Sequence, residues 1–465
     1  MIMVYRESAA DVEVLGKYDV VVCGGGPAGC AAAISAARLG AKTLLLERDG
    51  YAGGALASQL VCVILSTNGV DFQGIWHEFY GWMKRNDGVW LKPPDRKSVH
   101  FHGCFSPELG KYAWDWLLGA AGVETLFHVY SCSAIVENGC AVGVIAETRA
   151  GRRAILAERV IDCTGDGSVA AGSGVGFDCG DGVHPYAMAL TKVFRIGNAP
   201  PGTEFSEAAM KRIRQALQEK IAAGIYREPV VTEKDRLLGY IESDAWRLPS
   251  PRNEIMSVIS RVLRIDPLDP SQVSRAEVEG RRQAAEAADF YVSEVPGFEH
   301  AYLLDTALRI GIRSSRRLRG IAAVSDGDAW NFRKSSDSVA RSSWEIDVWS
   351  ADSYSKPAVA HKDREYAARG AVLRECKEYF DIPYGCIVCA GIDNMLMGGR
   401  CISAEYRAQS SLRIQQTCMS TGQAAGTAAA LSIEHRRTPR ELDPGIVVRQ
   451  LERDRDAVVP AFDSL

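Results

Sequence analysis

Apolar and polar positions fall into blocks whose period changes along the chain. Asp19–Cys23 (DVVVC) is a short β-branched apolar run, and glycines follow it at once. Pro27–Leu39 is an alanine-rich stretch of helical character, which Gly40 closes as a C′ glycine does. Thr43–Leu46 is a second apolar run. The three predict a β-α-β unit of the roughly 30-residue kind. Further on, Pro107–Ala121 predicts a helix. Val123–Val129, Ser133–Glu137, Ala141–Thr148 and Arg153–Ile161 predict successive strands, with Asn138-Gly139 and Gly151 as hairpin turns. From about Asp178 the pattern changes. Tyr186–Ile196 predicts a strand, and Glu207–Ala223 and Ala276–Ser293 predict polar-faced helices. Ser274 and Glu277 give the second helix a capping-box signature. Short apolar runs and glycines return from Ile382 and end in a small-residue helix, Thr417–Leu431.

Composition narrows the class. A chain of 465 residues suggests two or three domains and can bury a sizeable core. The net charge of −4, with arginines interspersed among acids, gives no reason to expect nucleic acid or a membrane surface as partner. Met1–Lys17 does not read as a signal peptide, and no long apolar run predicts a membrane span. Thirteen cysteines without a secretory signal read as free thiols in a reducing cytoplasm, and several, such as Cys23 and Cys163, sit in apolar strands.

Gly24-Gly25-Gly26-Pro27-Ala28-Gly29 matches G-x-G-x-x-G. Gly24 permits the tight turn, Gly26 lets backbone approach a pyrophosphate, and Gly29 permits close helix packing. The motif follows a predicted strand, opens a predicted helix, and precedes Glu47, which is placed to accept hydrogen bonds from ribose hydroxyls. It does not separate FAD from NAD. Three further features favour the longer cofactor: Gly53-Gly54 soon after Glu47, the strand-ending turn Ile161–Gly167 (IDCTGDG), and Met397-Gly398-Gly399-Arg400 before the last small-residue helix.

These segments resemble the FAD-dependent oxidoreductase family whose members share a glutathione-reductase-like FAD domain. The architecture is similar to that of the fumarate reductase and succinate dehydrogenase flavoproteins. The resemblance is carried by YDVVVCGGGPAG, LLLERDGYAGG, RVIDCTGDGSVAAGSGV, LRIGIRSSRRLRG and the stretch from Gly391 to Leu431. It implies an α/β fold: a Rossmann-like FAD-binding domain in two parts, 1–177 and 356–465, around an inserted α+β substrate domain, 178–355. It also implies that Gly24, Gly26, Pro27, Ala28 and Gly29 hold the pyrophosphate, with Gly53 and Gly54 flanking it. Glu47 would bind the ribose, Arg48 would lie near the adenine, and backbone near Ala134 would contact it. Thr164, Gly165 and Asp166 would line the adenosine side, and Gly399 and Arg400 the ribityl chain. The helix beginning near Ile414 would aim its N-terminus at the flavin C2 carbonyl, where it stabilises negative charge. Two departures stand out. Asp347-Val348-Trp349 replaces an expected histidine, and Gly182–Tyr186 (GVHPY) replaces an amide before proline.

Hydride transfer to flavin needs orientation, charge and a proton acceptor or donor from the protein. The candidates are Arg313, Arg316, Arg413, His184 and Tyr186. Arg413 either grips a carboxylate or sugar-like oxygen, or forms an ion pair inside the FAD domain. Arg313 and Arg316, one helical turn apart, either face one site or form a basic helix face. His184 has a suitable pKa for a general base, though a lone histidine is more often structural. His100 and His102 share a face in a strand, but with Cys104 they give too few ligands for a metal, so none is expected. Cys386 and Cys389 match C-x-x-C, but a strand over Ile382–Ala390 would point them to opposite faces. The sequence therefore predicts a dehydrogenase or oxidase of a small polar metabolite. A monooxygenase is disfavoured because Gly399-Arg400 stands where those enzymes usually carry Gly-Asp. A nonredox protein using FAD structurally stays open. No second G-x-G-x-x-G suggests an NADPH domain, so electrons would leave to oxygen or a separate carrier.

Overall fold

The computed structural model describes residues 5, 10–65, 72–92, 101–186, 188–200, 205–234, 237–238, 246–354 and 378–462, with backbone alone at 101–102 and 455–462. His100, the His102 side chain and the domain boundary expected at 355/356 lie outside the described residues.

Seven strands form the main sheet: β1 (Val14–Cys23), β2 (Thr43–Glu47), β3 (Glu124–Phe127), β4 (Tyr130–Glu137), β5 (Cys140–Thr148), β6 (Gly151–Asp162) and β7 (Met395–Met397). β3, β2, β1 and β6 lie side by side and parallel. Beyond them β6 serves two neighbours. Its first half pairs antiparallel with β5, which continues to β4, and its end, Val160–Asp162, pairs parallel with β7. The inner strands are apolar throughout because both faces are covered. Val20–Cys23 and Leu44–Leu46 are fully buried. The register aligns the strand ends: Cys23 pairs with both Leu46 and Asp162, and Met397 pairs with Asp162. Four chain segments thus leave the sheet along one edge, which is where α/β sheets bind ligands. The expected hairpin is present, with Asn138 at φ 50° and Gly139 at φ 80°.

Two helices, α1 (Pro27–Arg38) and α2 (Gln415–Glu434), cross on one face of this sheet. A Cβ on Gly422 would stand 2.0 Å from Ala28 O, and one on Gly426 would stand 2.0 Å from Ala32 O. The crossing is therefore backbone on backbone. Ser35 Oγ and Thr427 Oγ1 share a hydrogen bond of 2.7 Å across it. This contact explains the small-residue composition of the last helix.

A second core is built from Phe194, Ile196, Leu217, Ala284, Phe290 and Tyr291 among others. It has a three-stranded antiparallel sheet (Ile255–Ser257, Phe194–Gly197, Tyr302–Thr306) and the helices Glu207–Ala222 and Pro270–Glu294. Leu318, Val324 and Val339, which fall within the expected inserted segment, are buried in the first core instead.

Several local expectations are corrected. The strand expected over Tyr186–Ile196 is regular only at Phe194–Gly197. The long helix begins six residues before Ala276, at Pro270, because Asp269 caps it by accepting from the Ser271 and Gln272 N–H groups. Ser274 Oγ donates to Pro270 O, and Glu277 pairs with Lys192, so the capping box does not form. Arg313 and Arg316 are not on a helix. A one-turn 3-10 helix, Tyr384–Ile387, follows the strand Phe380–Pro383 where a longer strand was expected. Every described cysteine is free. Among the described residues no helix is long and apolar enough to cross a membrane.

Candidate functional site

The first turn is built by close approach. Gly24 has φ +100°, and a Cβ there would stand 2.6 Å from Cys163 O. A Cβ on Gly29 would stand 1.8 Å from Gly24 O, so only glycine lets α1 start against the turn. Gly26 differs: its Cβ would face open space, with Gly54 Cα the nearest atom at 4.0 Å. Gly26 is also the N-cap of α1, with no side-chain cap and no acid in the first turn. Uncapped amides and a cradle that a methyl would fill are what a diphosphate requires. Glu47, at the end of β2, is buried and oriented by two amides. Gly25 N–H donates to Oε2 at 2.6 Å, and Asp49 N–H donates to Oε1 at 2.8 Å.

The third turn hangs on Asp162. Its buried carboxylate accepts from Thr164 N–H (3.0 Å), Thr164 Oγ1 (2.7 Å) and Ala170 N–H (2.8 Å). Burial raises its pKa despite these donors. Asp166 lies one turn on. Burial works against its charge, but Arg400 at 2.5 Å and Ser315 Oγ at 2.7 Å outweigh it and hold the carboxyl at about 2. Arg400 thereby ties the turn after β7 to the turn after β6.

α2 supplies a second uncapped N-terminus, at Ile414, again with no acid in its first turn. Gln415 Nε2 donates to Val61 O (2.6 Å) and Gln416 Nε2 donates to Leu65 O (3.2 Å), which fixes the facing segment 61–65. Just before the helix, Arg413 Nη2 donates to Asp347 Oδ2 at 2.9 Å. Burial pushes the Arg413 pKa below its usual value, with Asp347 opposing.

One cavity of about 480 Å³ joins these parts. It runs from Gly24, Gly26 and Glu47 past Thr164 and Gly399 to Arg413 and Ile414. Its far end is walled by Trp246, Trp344 and Trp349, with Arg313, Glu345 and Asp347. Pro27, Ala28, Arg48, Gly54, Gly165 and Arg400 also line it. Gly29, Gly53 and Asp166 stand behind the wall and shape it.

Not all of the other candidates reach the cavity. Ala134 is outside the cavity, its N–H donating to Ser173 Oγ at 2.6 Å, and Val129–Ser131 line the wall in its place. His184 and Tyr186 do not reach the cavity. They stack on each other at 4.8 Å near the surface, where His184 pairs with Asp181 and Tyr186 with Asp352. Arg316 donates to Asp166 O (3.1 Å) and supports that turn. Arg313 lines the cavity, donating to Ala189 O at 2.6 Å. Thr191, Arg309, Trp246 and Trp344 were not among the expected residues; of these only Arg309 carried a signal, its place in the segment Leu308–Gly320, while Trp349 lies in the departure Asp347–Trp349. No group of described His, Cys, Asp and Glu residues could hold a metal.

A family model for FAD dependent oxidoreductases matches residues 19–454. The chain belongs to this FAD-dependent oxidoreductase family. FAD is its cofactor, and the paired uncapped helices, the open cradle at Gly26 and the buried Glu47 fit that group. Curated relatives match over short stretches. The tRNA uridine 5-carboxymethylaminomethyl modification enzyme MnmG of Heliobacterium modesticaldum is 70% identical over 33 residues, 7% of this chain and 5% of that protein. The dihydrolipoyl dehydrogenase of Trypanosoma brucei brucei is 56% identical over 41 residues, 9% of each. The chain thus spans under a tenth of the length of these two relatives. Among solved structures, a geranylgeranyl bacteriochlorophyll reductase-like protein from Thermoplasma acidophilum is 13% identical, with 94% of this chain and 83% of that chain covered and a TM-score of 0.43.

Proposed function

We propose that this FAD-dependent oxidoreductase is a dehydrogenase or oxidase that removes a hydride from a small polar metabolite. The observation that carries the reading is the single cavity that begins at the glycine turn and ends at the tryptophan, arginine and carboxylate wall. FAD supplies the hydride acceptor at N5.

The chain's own residues do the rest. The two helix N-termini, Glu47 and the Gly26 cradle bind and orient the cofactor. Arg313 and Arg413 present cationic donors to the substrate, and Asp347 and Glu345 present acceptors. Asp347, 2.9 Å from Arg413, is placed to take a substrate hydroxyl proton. The tryptophans exclude water and select a flat or ring-shaped body. Such a wall, with Arg413 neutralised by Asp347, suits a polar neutral ring better than a strongly anionic substrate.

In this reading the FAD domain is of the glutathione reductase type: parallel strands β3, β2, β1, β6 and β7 with β4 and β5 as an antiparallel appendage. The second core is the inserted substrate domain. The protein works in the cytoplasm, and its electrons leave to oxygen or a separate carrier. Anaerobic mixing of the FAD-loaded protein with a panel of polyols, sugars, amines and hydroxy acids tests it. One class should bleach the flavin band. Absence of bleaching by any of them, with hydroxylation of an aromatic in the presence of a reductant and oxygen, would instead establish a monooxygenase.

A further inference from the structure

The second core reaches the cofactor cleft through one cation that the reading above leaves unused. Arg309 follows the strand Tyr302–Thr306, and its backbone N–H donates to Ser58 O at 3.0 Å. Its guanidinium Nη2 donates to Asp49 Oδ2 (2.6 Å) and to Ser58 Oγ (2.9 Å). Ser58 Oγ in turn donates to Gly54 O at 2.7 Å. The guanidinium is therefore fixed behind the glycine that presses on Gly26, and it lines the cavity beside Gly54, Ala55 and Gln59.

Its hydrogen bonding is incomplete. Nε and Nη1 are buried and have no hydrogen-bond partner among the described residues. Leaving buried charged donors unpaired is unfavourable unless an anion arrives. Burial first, and the nearby Arg48 second, lower the guanidinium pKa, while Asp49, Glu47 and Asp166 oppose. The site is thus still receptive to negative charge. Arg400 is already committed to Asp166, and the glycine turns supply only amides. The diphosphate is the anionic part of FAD.

We infer that Arg309, supplied by the second core, binds the diphosphate of FAD and so clamps that core onto the cofactor. The contact is a charge-assisted hydrogen bond from guanidinium N–H to phosphate oxygen. The inference rests on FAD as the cofactor and on nothing about the substrate, so a wrong substrate class leaves it standing.

The test is equilibrium binding to the full-length apoprotein, read by quenching of flavin fluorescence, with ADP and adenosine as competitors. Arg309→Met should weaken FAD and ADP roughly ten- to a hundredfold and leave adenosine near wild type. Arg309→Lys should recover part of the loss, and the salt dependence of FAD binding should fall in Arg309→Met. Unchanged FAD affinity in Arg309→Met overturns the inference, and so does an equal loss of ADP and adenosine. Should Arg309→Met fail to fold, Asp49→Asn decides. Freeing the guanidinium from its carboxylate should keep or tighten FAD binding, whereas a loss of FAD affinity would mean that the ion pair is merely structural.

Discussion

Gly26 and Gly54 meet backbone to backbone, and the contact is one-sided. A Cβ on Gly54 would stand 2.7 Å from Gly26 Cα, whereas a Cβ on Gly26 would meet nothing nearer than Gly54 Cα at 4.0 Å. Gly26 also has φ −73°, which any L residue adopts. Gly26→Val should therefore keep the apo fold while filling the phosphate cradle. The purified variant is expected to be colourless, with an apo Tm close to wild type. Gly54→Ala should lower the apo Tm, because it meets backbone at a φ of +48°. A yellow Gly26→Val protein with normal flavin content would refute the cradle.

The glycine turns were legible because each pairs a residue type with a backbone need: a turn at Gly24, a close approach at Gly29. The β-α-β unit, the hairpin at Asn138-Gly139 and the last helix were legible for the same local reason. The far end of the cavity was not. Trp246 and Trp344 come from segments without a regular period, and only tertiary packing brings them into one cavity wall with Arg413. His184 was singled out by the departure GVHPY from the family pattern and Tyr186 opened an expected strand, but in that strand Leu190 and Thr191 make only isolated bridges. Local pattern cannot report which partner strand an irregular segment finds.

Asp166 links pH to stability. Its folded pKa of about 2 lies below the ordinary 3.8, so its contribution is present above the unfolded value and is lost as pH falls towards 2. The shift corresponds to about 2 kcal/mol at neutral pH. Asp166→Asn removes this and leaves the half-buried Arg400 without its carboxylate. Thermal unfolding of the apoprotein should show a lower Tm for the variant at pH 7, with the gap to wild type narrowing below pH 4. A gap that stays constant down to pH 2 would rule the linkage out.

The crossing of α1 and α2 tolerates no side chain. A Cβ on Gly426 would stand 2.0 Å from Ala32 O, and neither helix can yield without moving Ser35 from Thr427. Gly426→Ala should cost roughly 1–3 kcal/mol, as overpacking does. Separation of the helices would also tilt the two N-termini that face the cavity, so FAD affinity should fall together with stability. Urea unfolding with a parallel FAD titration checks both. Wild-type values for both would mean that the helices pass at a greater distance.

Arg413 and Asp347 should move the flavin potential in opposite directions. In the proposed placement of the flavin at this end of the cavity, the guanidinium and the N-terminus of α2 would both favour negative charge on its reduced form, and the carboxylate 2.9 Å from Arg413 would oppose it. Arg413→Met should therefore lower the two-electron midpoint potential, and Asp347→Asn should raise it. Each ~1.4 kcal/mol of changed charge stabilisation shifts such a couple by about 30 mV. Dye-equilibrated anaerobic reduction measures this without any substrate. Shifts of the same sign in both variants, or none in either, would place the pair away from the flavin and return Arg413 to a purely structural role.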